Sequence, residues 1–150
     1  MGRRLLRDYG SLLGLLLIGA ALSVLSDRFL TTSNLINVAR QVSINAIVAA
    51  GMTIVIITGG IDLSVGSTIA LAGCAALLVA RLLGDVAGMT VGILAGAGVG
   101  LLNGALVAWG RVPPFITTLA TMTVVRGAAL VLTNGEPIVK TDGPYLWLGQ

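Results

Sequence analysis

Charged residues and histidine are what this sequence of 150 residues has least of. Only 10% of the residues carry charge, nine basic and six acidic, and histidine is absent. Ordinary soluble domains contain roughly 25% charged residues, which cover their surface. A water-soluble globule, a disordered segment and a nucleic-acid-binding module are therefore excluded. With 56% apolar residues, the composition predicts a membrane protein that has no nucleic-acid partner.

The groups that usually carry chemistry are also missing. Without histidine, no histidine-based triad or metal site is available, and the single cysteine, Cys74, permits no internal disulfide. Cys74 is interpreted as a small packing residue. The one lysine, Lys140, follows Val139, where a phosphate-binding loop would need glycine. The sequence therefore predicts no catalytic residue, no cofactor, no metal ligand and no enzyme activity of its own.

Long runs without charge give the membrane spans, since a bilayer core takes about 20 residues of helix. The first run, residues 9–26, follows a basic cluster and is interpreted as an uncleaved helix rather than a signal peptide, because further spans follow. Residues 42–80 contain one charge, Asp62. As a single helix they would be about 58 Å long, nearly twice the hydrocarbon thickness. The Gly59-Gly60 pair is the predicted break.

Two further breaks complete an all-α membrane bundle in one transmembrane domain over residues 1–150. Pro113-Pro114 ends the fourth helix, and the turn pattern Asn134-Gly135 ends the fifth. The predicted helices cover roughly residues 10–26, 42–59, 63–82, 86–109 and 115–133. The dense N-terminal cluster of arginines favours an N-terminus inside, which places position 111 inside and positions 28, 81 and 136 outside. Tyr145 and Trp147 are predicted interface aromatics.

Glycine recurs every fourth residue through the fourth helix, at positions 84, 88, 92, 96, 100 and 104. In lipid, small residues let helix backbones approach closely. Two interpretations stay open, tight packing within the bundle and a moving or substrate-lining helix. The predicted helix-packing residues are Gly88, Gly92, Gly96, Gly100 and Gly104. Leucine at Gly96 or Gly100 is expected to lower the stability of the bundle.

Polar residues inside the predicted spans are scarce and are the candidate functional residues. Asp62, with Gly59 and Gly60, is interpreted either as a cap of the third helix or as a gate or hinge. Arg126 either extends to the outer interface or is buried within the bundle. Asn45 and Asn103 are candidates for hydrogen bonds between helices ahead of ligand contacts.

Two segments resemble a known family. NAIVAAGMTIVIITGGIDLSVGS at residues 45–67 and GRVPPFITTLATMTVVRGAALVLTNGEPI at residues 110–138 are similar to segments of permease subunits of bacterial ABC sugar importers of the ribose, xylose and galactose group. The resemblance covers roughly residues 30–140. It implies a multi-pass subunit of the cytoplasmic membrane that imports a monosaccharide such as ribose or xylose, and it brings no cofactor.

The resemblance also implies partners. These are a second permease subunit, a cytoplasmic ABC ATPase, a periplasmic or lipid-tethered sugar-binding protein and the surrounding lipid. Members of the family are about twice as long, with about ten spans, so this chain is expected to match the N-terminal half. Two alternatives stay open, an ion-coupled secondary transporter that uses Asp62 and Arg126 and a non-transporting membrane scaffold or truncated remnant.

Overall fold

The structure, a computed structural model, describes residues 2–139, with side chains from residue 9 onward. Within these residues all regular structure is helical, and the predicted all-α fold of five helices is confirmed. Tyr145 and Trp147 lie outside the described residues. The helices are α1 (Gly2–Leu25), α2 (Thr32–Ile57), α3 (Val65–Leu83), α4 (Asp85–Ala108) and α5 (Pro114–Thr133).

Four of the helices, α2 to α5, are long and apolar enough to cross a membrane. The apolar part of α1, Tyr9–Leu25, is shorter than the length required of a span. The sequence predicted five spans, so the described residues supply four full-length candidates and one shorter apolar helix. The chain is a multi-pass membrane protein by the length and composition of these helices.

Contacts divide the chain into two compact units, one within residues 1–46 and one within residues 47–150. In the first, α2 begins ten residues before the predicted start at residue 42. Thr31 explains the difference, because its Oγ1 accepts the backbone N–H of Asn34 at 3.3 Å and so caps the helix. A charge-free run marks only the part of a helix that suits the membrane core, and Arg40 lies within the helix ahead of that part.

In the second unit, α3 and α4 form an antiparallel hairpin with Gly84 alone between them, at φ +89°. At this φ, glycine is the residue that adopts the turn without strain. A Cβ on Gly92 would lie 3.0 Å from the Ala76 Cβ and 3.1 Å from the Ala72 carbonyl oxygen. The backbones of the hairpin therefore approach closely at this glycine.

The third helix of this bundle, α5, packs against α3 and α4. Pro114 is its first residue, where a missing N–H costs nothing. It ends at a left-handed residue, Asn134 (φ +52°), and the N–H of Gly135 donates to the Leu130 carbonyl at 2.9 Å. The breaks predicted at Pro113-Pro114 and at Asn134-Gly135 are confirmed.

The antiparallel order fixes which loops share an end of the bundle. The Arg81 guanidinium donates to the carbonyl of Val139, so the end of α3 and the segment after α5 lie together. Arg111, between α4 and α5, lies at the opposite end. This is the separation that the predicted topology requires of positions 81 and 111. Which end faces the cytoplasm stays a prediction.

Candidate functional site at the break between α2 and α3

The chain leaves helical geometry between α2 and α3 over residues 58–64, as the glycine pair predicted. Gly59 has φ +80°, and the N–H of Gly60 donates to the carbonyl of Val55 at 3.1 Å, a typical glycine-dependent helix end. A Cβ on Gly60 would lie only 3.3 Å from the Val55 Cγ1. Both glycines therefore suit the geometry of the turn, for different reasons.

Asp62 holds the chain where it enters α3. Its Oδ1 accepts two hydrogen bonds from Ser64, one from the backbone N–H at 2.7 Å and one from the hydroxyl at 2.6 Å. Ser64 is the residue directly before α3 and is fully buried. The capping interpretation expected the carboxylate to bond to N–H groups in the first turn of α3. It instead bonds to Ser64 and stabilises an Asx-type turn directly before the helix.

Two side chains from the other helices extend this arrangement. Asn103 of α4 donates from Nδ2 to the Ser64 Oγ at 2.9 Å, and its Oδ1 accepts the hydroxyl of Thr121 of α5 at 2.7 Å. Asn103 is 6% exposed and Thr121 is 7% exposed. We call Asp62, Ser64, Asn103 and Thr121 the polar relay. The donors follow one another in a single direction: Thr121 donates to Asn103, Asn103 to Ser64, and Ser64 to Asp62. The relay thereby connects α5 and α4 to the start of α3.

The relay lies inside the bundle rather than at its end. Asn103 is five residues before the last residue of α4, about 8 Å along the helix axis. Thr121 is seven residues after Pro114, about 10 Å from the start of α5. Because Ser64 is bonded to Asn103, α3 begins at that depth. Non-helical backbone at membrane depth is tolerated where protein buries it or where it lines a cavity.

Thr118 of α5 ties the break to the same helix. Its hydroxyl lies 3.1 Å from the Ile61 carbonyl oxygen and 2.9 Å from the Pro114 carbonyl oxygen. Thr117, its neighbour, is 4% exposed, and its hydroxyl has no hydrogen-bond partner among the described residues. Thr118 therefore holds the start of α5 against the break, and its neighbour Thr117 is buried.

A cavity of about 290 Å³ adjoins the break. Four polar residues line it, and the rest of its wall is glycine, proline and aliphatic side chains. Asp62 is half-buried at its edge. The polar lining residues are Thr58, Asp62, Asn103 and Thr118. We call this space the Asp62 cavity. Among the described residues, no group of three or more histidine, cysteine or acidic side chains is placed to hold a metal ion.

A buried polar junction at a helix break is an arrangement seen in membrane transport proteins, and comparison with known proteins agrees. Residues 34–145 match the family model described as the branched-chain amino acid transport system permease component. The chain belongs to this permease family.

The curated relatives of this chain include ribose and xylose permeases. It is 46% identical over 134 residues to the ribose import permease protein RbsC of Escherichia coli K12, a match covering 89% of this chain and 42% of that protein. It is 47% identical over 141 residues to RbsC of Bacillus subtilis 168, covering 93% of this chain and 44% of that one. The resemblance found in the two sequence segments is confirmed.

A third relative widens the range of sugars. The xylose transport system permease protein XylH of Escherichia coli K12 is 40% identical over 124 residues, covering 81% of this chain and 32% of that protein. The permease chain thus spans less than half the length of these relatives. No solved structure matches it.

Two of the other predicted polar residues lie apart from the break in the permease. Asn45 is an exposed residue of α2. Arg126 is an exposed residue of α5 and lines a second cavity of about 480 Å³, together with Cys74 of α3 and Glu136 beyond α5. Among the described residues, Arg126 has no hydrogen-bond or ion-pair partner. Asp62 and Arg126 therefore line separate cavities.

The glycine row divides into parts with different surroundings. Gly84 lies in the turn before α4, Gly88 is buried, and Gly92 meets α3 closely. A Cβ at any of the next three glycines would have nothing within 4 Å among the described residues. These three are Gly96, Gly100 and Gly104. A packing role for them requires a neighbour outside the described residues, and it stays a prediction.

Sequence reasoning missed three members of the site. It singled out Asp62 and Asn103, but not Ser64, Thr118 or Thr121. A signal was available, because the threonines at positions 117 and 121 are one helical repeat apart and therefore lie on one face of α5. Hydroxyl residues are common in membrane helices, so the spacing by itself did not identify their partners.

Proposed function

We propose that the complete protein is the membrane-spanning permease of an ATP-driven importer of a monosaccharide such as ribose or xylose in the cytoplasmic membrane. The observation that carries the proposal is 40–47% identity to ribose and xylose permeases over most of the chain. Residues 1–150 form one transmembrane domain of this permease, corresponding to the N-terminal half of a ten-span protein. The surrounding lipid is its solvent.

The proposal includes partners and assigns no reaction chemistry to the permease itself. Two permease subunits pair in the membrane, an ABC ATPase on the cytoplasmic side hydrolyses ATP, and a periplasmic or lipid-tethered binding protein delivers the sugar. Sugar movement then requires the permease to alternate between two arrangements of its helices.

Within this function, Gly59, Gly60 and Asp62 act as a hinge or gate. The support is geometric, because the break lies inside the helix bundle and a single relay of hydrogen bonds holds the start of α3 against α4 and α5. Such a junction favours two discrete states, since breaking the relay leaves the buried amide of Asn103 without its two partners.

Uptake in a host that lacks pentose permeases tests the function. The complete reading frame is expressed with its ATPase and binding protein, and radiolabelled ribose and xylose are supplied separately. We expect uptake of one pentose that stops when the ATPase carries an inactivating substitution. Uptake that persists without ATPase activity but requires an ion gradient would establish the secondary transporter instead. Absence of uptake of both pentoses would favour the scaffold.

A further inference from the structure

The hydrogen bonds around Asp62 leave one of its two oxygens unused. Both donors of Ser64, the N–H and the hydroxyl, reach Oδ1. Oδ2 accepts no hydrogen bond from the described residues, and Asp62 lines both the Asp62 cavity and a smaller cavity of about 170 Å³ beside it. Oδ2 is accessible rather than buried, and an occupant that displaced water from it without donating a hydrogen bond would bind unfavourably. The arrangement therefore presents one strong acceptor to an occupant of the Asp62 cavity.

The other polar groups of the cavity are mostly acceptors as well. The hydroxyl proton of Thr58 is used by the Val55 carbonyl at 2.7 Å, and that of Thr118 by the Pro114 and Ile61 carbonyls. Their oxygen lone pairs remain available. Asn103 uses one amide hydrogen on Ser64 and keeps the other. The cavity thus offers several acceptors and one donor.

This balance selects the chemical class of the occupant. An anion would be repelled by Asp62, and an apolar molecule would leave Oδ2 unpaired. Divalent hard cations take six or more oxygen ligands in typical sites, whereas the described cavity has one carboxylate. A molecule with several hydroxyl groups both donates and accepts, and it satisfies the lining without a change of net charge.

We propose that the Asp62 cavity is a contact site for the transported sugar, in which Asp62 Oδ2 accepts a hydrogen bond from one sugar hydroxyl. This rests on the proposed function and assigns a place in the permease to its substrate. Oδ1 accepts the hydrogen bonds of Ser64, and Oδ2 accepts the hydrogen bond of the sugar. The Asp62 carboxylate therefore connects the occupied cavity to the start of α3.

Asp62→Asn separates these two roles. Its amide oxygen still accepts both donors of Ser64, because turning the NH2 group toward them would set donor against donor. The change is thus confined to the oxygen that faces the occupant, which becomes a donor. Ser64→Ala is the matched control, since it shortens the relay and leaves the Asp62 carboxylate in place.

The readout compares each sugar with its analogues. The complete permease, with its ATPase and binding protein in vesicles, is supplied with ribose and with riboses that each lack one hydroxyl. For wild type we expect one analogue to be transported about tenfold more slowly than ribose beyond what binding-protein affinity explains. In Asp62→Asn that preference is expected to disappear. In Ser64→Ala it is expected to persist despite lower thermal stability.

A second variant tests the cavity without touching the relay. Gly104 lines the Asp62 cavity, and a Cβ there has nothing within 4 Å. Gly104→Val should fill the space and reduce uptake of every pentose by the complete permease, while residues 1–150 measured alone should keep a thermal stability near that of wild type. Normal uptake by this variant would overturn the proposal.

Other outcomes are decisive in different ways. Equal slowing of ribose and all its analogues by Asp62→Asn would make Asp62 a structural residue and remove the sugar contact, with the importer function intact. Uptake that requires sodium in wild type and loses that requirement in Asp62→Asn would place a cation in the cavity instead. Failure of wild type to transport any sugar would overturn the proposed function and the contact site together.

Discussion

Asn103 is the residue on which the polar relay depends most, because it alone bonds to two other helical elements. Asn103→Leu keeps a similar side-chain size. It removes the amide group that donates to the Ser64 hydroxyl and the amide oxygen that accepts the Thr121 hydroxyl. Ser64 still donates to Asp62, and the Thr121 hydroxyl can turn to its own backbone, so we expect a loss of about 1 kcal/mol. Unfolding by sodium dodecyl sulfate in mixed micelles measures it.

Asn45→Leu is the control for that substitution. Asn45 is exposed on α2 and forms no hydrogen bond with the described residues, so its replacement is expected to leave the unfolding free energy unchanged. If both variants unfold like wild type, the relay does not stabilise the bundle. The average hydrogen bond between membrane helices is worth only about 0.6 kcal/mol, so the measurement must separate differences of that size.

Arg126 differs from Asn103 in having no partner among the described residues. A buried arginine in a span would need an anion beside it, whereas an arginine at the lipid boundary extends its guanidinium to the interface. The exposure of Arg126 favours the second interpretation. Arg126→Leu is therefore expected to preserve thermal stability in detergent and to leave transport unchanged. A clear loss of either, restored by Arg126→Lys, would show that the rest of the permease supplies a buried acidic partner.

At the scale of the helices, the hairpin of α3 and α4 depends on one close approach. Gly92→Leu places carbon atoms where even a Cβ lies 3.0 Å from the Ala76 Cβ, so α4 must move away from α3. Overpacking of this kind costs roughly 1–3 kcal/mol. The melting temperature in detergent should fall clearly for Gly92→Leu.

Gly96→Leu is the matched comparison, one helical turn further along the same helix. The described residues leave open space at Gly96, so this variant should melt close to wild type when residues 1–150 are measured alone. The same comparison in the complete permease tests the wider glycine row. A fall for Gly96→Leu only in the complete protein would mean that another segment packs there, as the sequence pattern predicts.

For the whole molecule, the topology predicts sides of the membrane as well as ends of the bundle. Single cysteines replacing Arg81, Arg111 and Glu136 are introduced after Cys74→Ala and labelled with an impermeant maleimide on intact cells. We expect labelling at positions 81 and 136, and labelling at position 111 only after permeabilisation. Labelling at 111 alone would invert the orientation and keep the bundle. Different sides for 81 and 136 would contradict the antiparallel order of α3, α4 and α5.

The sequence alone determined the class and the helical plan of this protein. Scarce charge placed it in a membrane, and the Gly59-Gly60, Pro113-Pro114 and Asn134-Gly135 breaks separated the helices, because these residues act through their own backbone geometry. Two sequence segments were enough to indicate the family, which the comparisons confirm. These properties depend on composition or on short segments of the chain, so they can be predicted from the sequence alone.

Tertiary structure decided which residues meet. Ser64, Asn103 and Thr121 are far apart in the sequence, and only the antiparallel packing of α3, α4 and α5 brings them into one relay. The six glycines look alike in the sequence, yet a Cβ on Gly92 would meet α3 at 3.0 Å, whereas a Cβ on Gly96 would meet nothing within 4 Å among the described residues. A four-residue period drifts around a helix of 3.6 residues per turn, so equal spacing does not give equal neighbours. The contacts of a helix depend on where its neighbouring helices lie, and the sequence pattern of one helix does not contain that information.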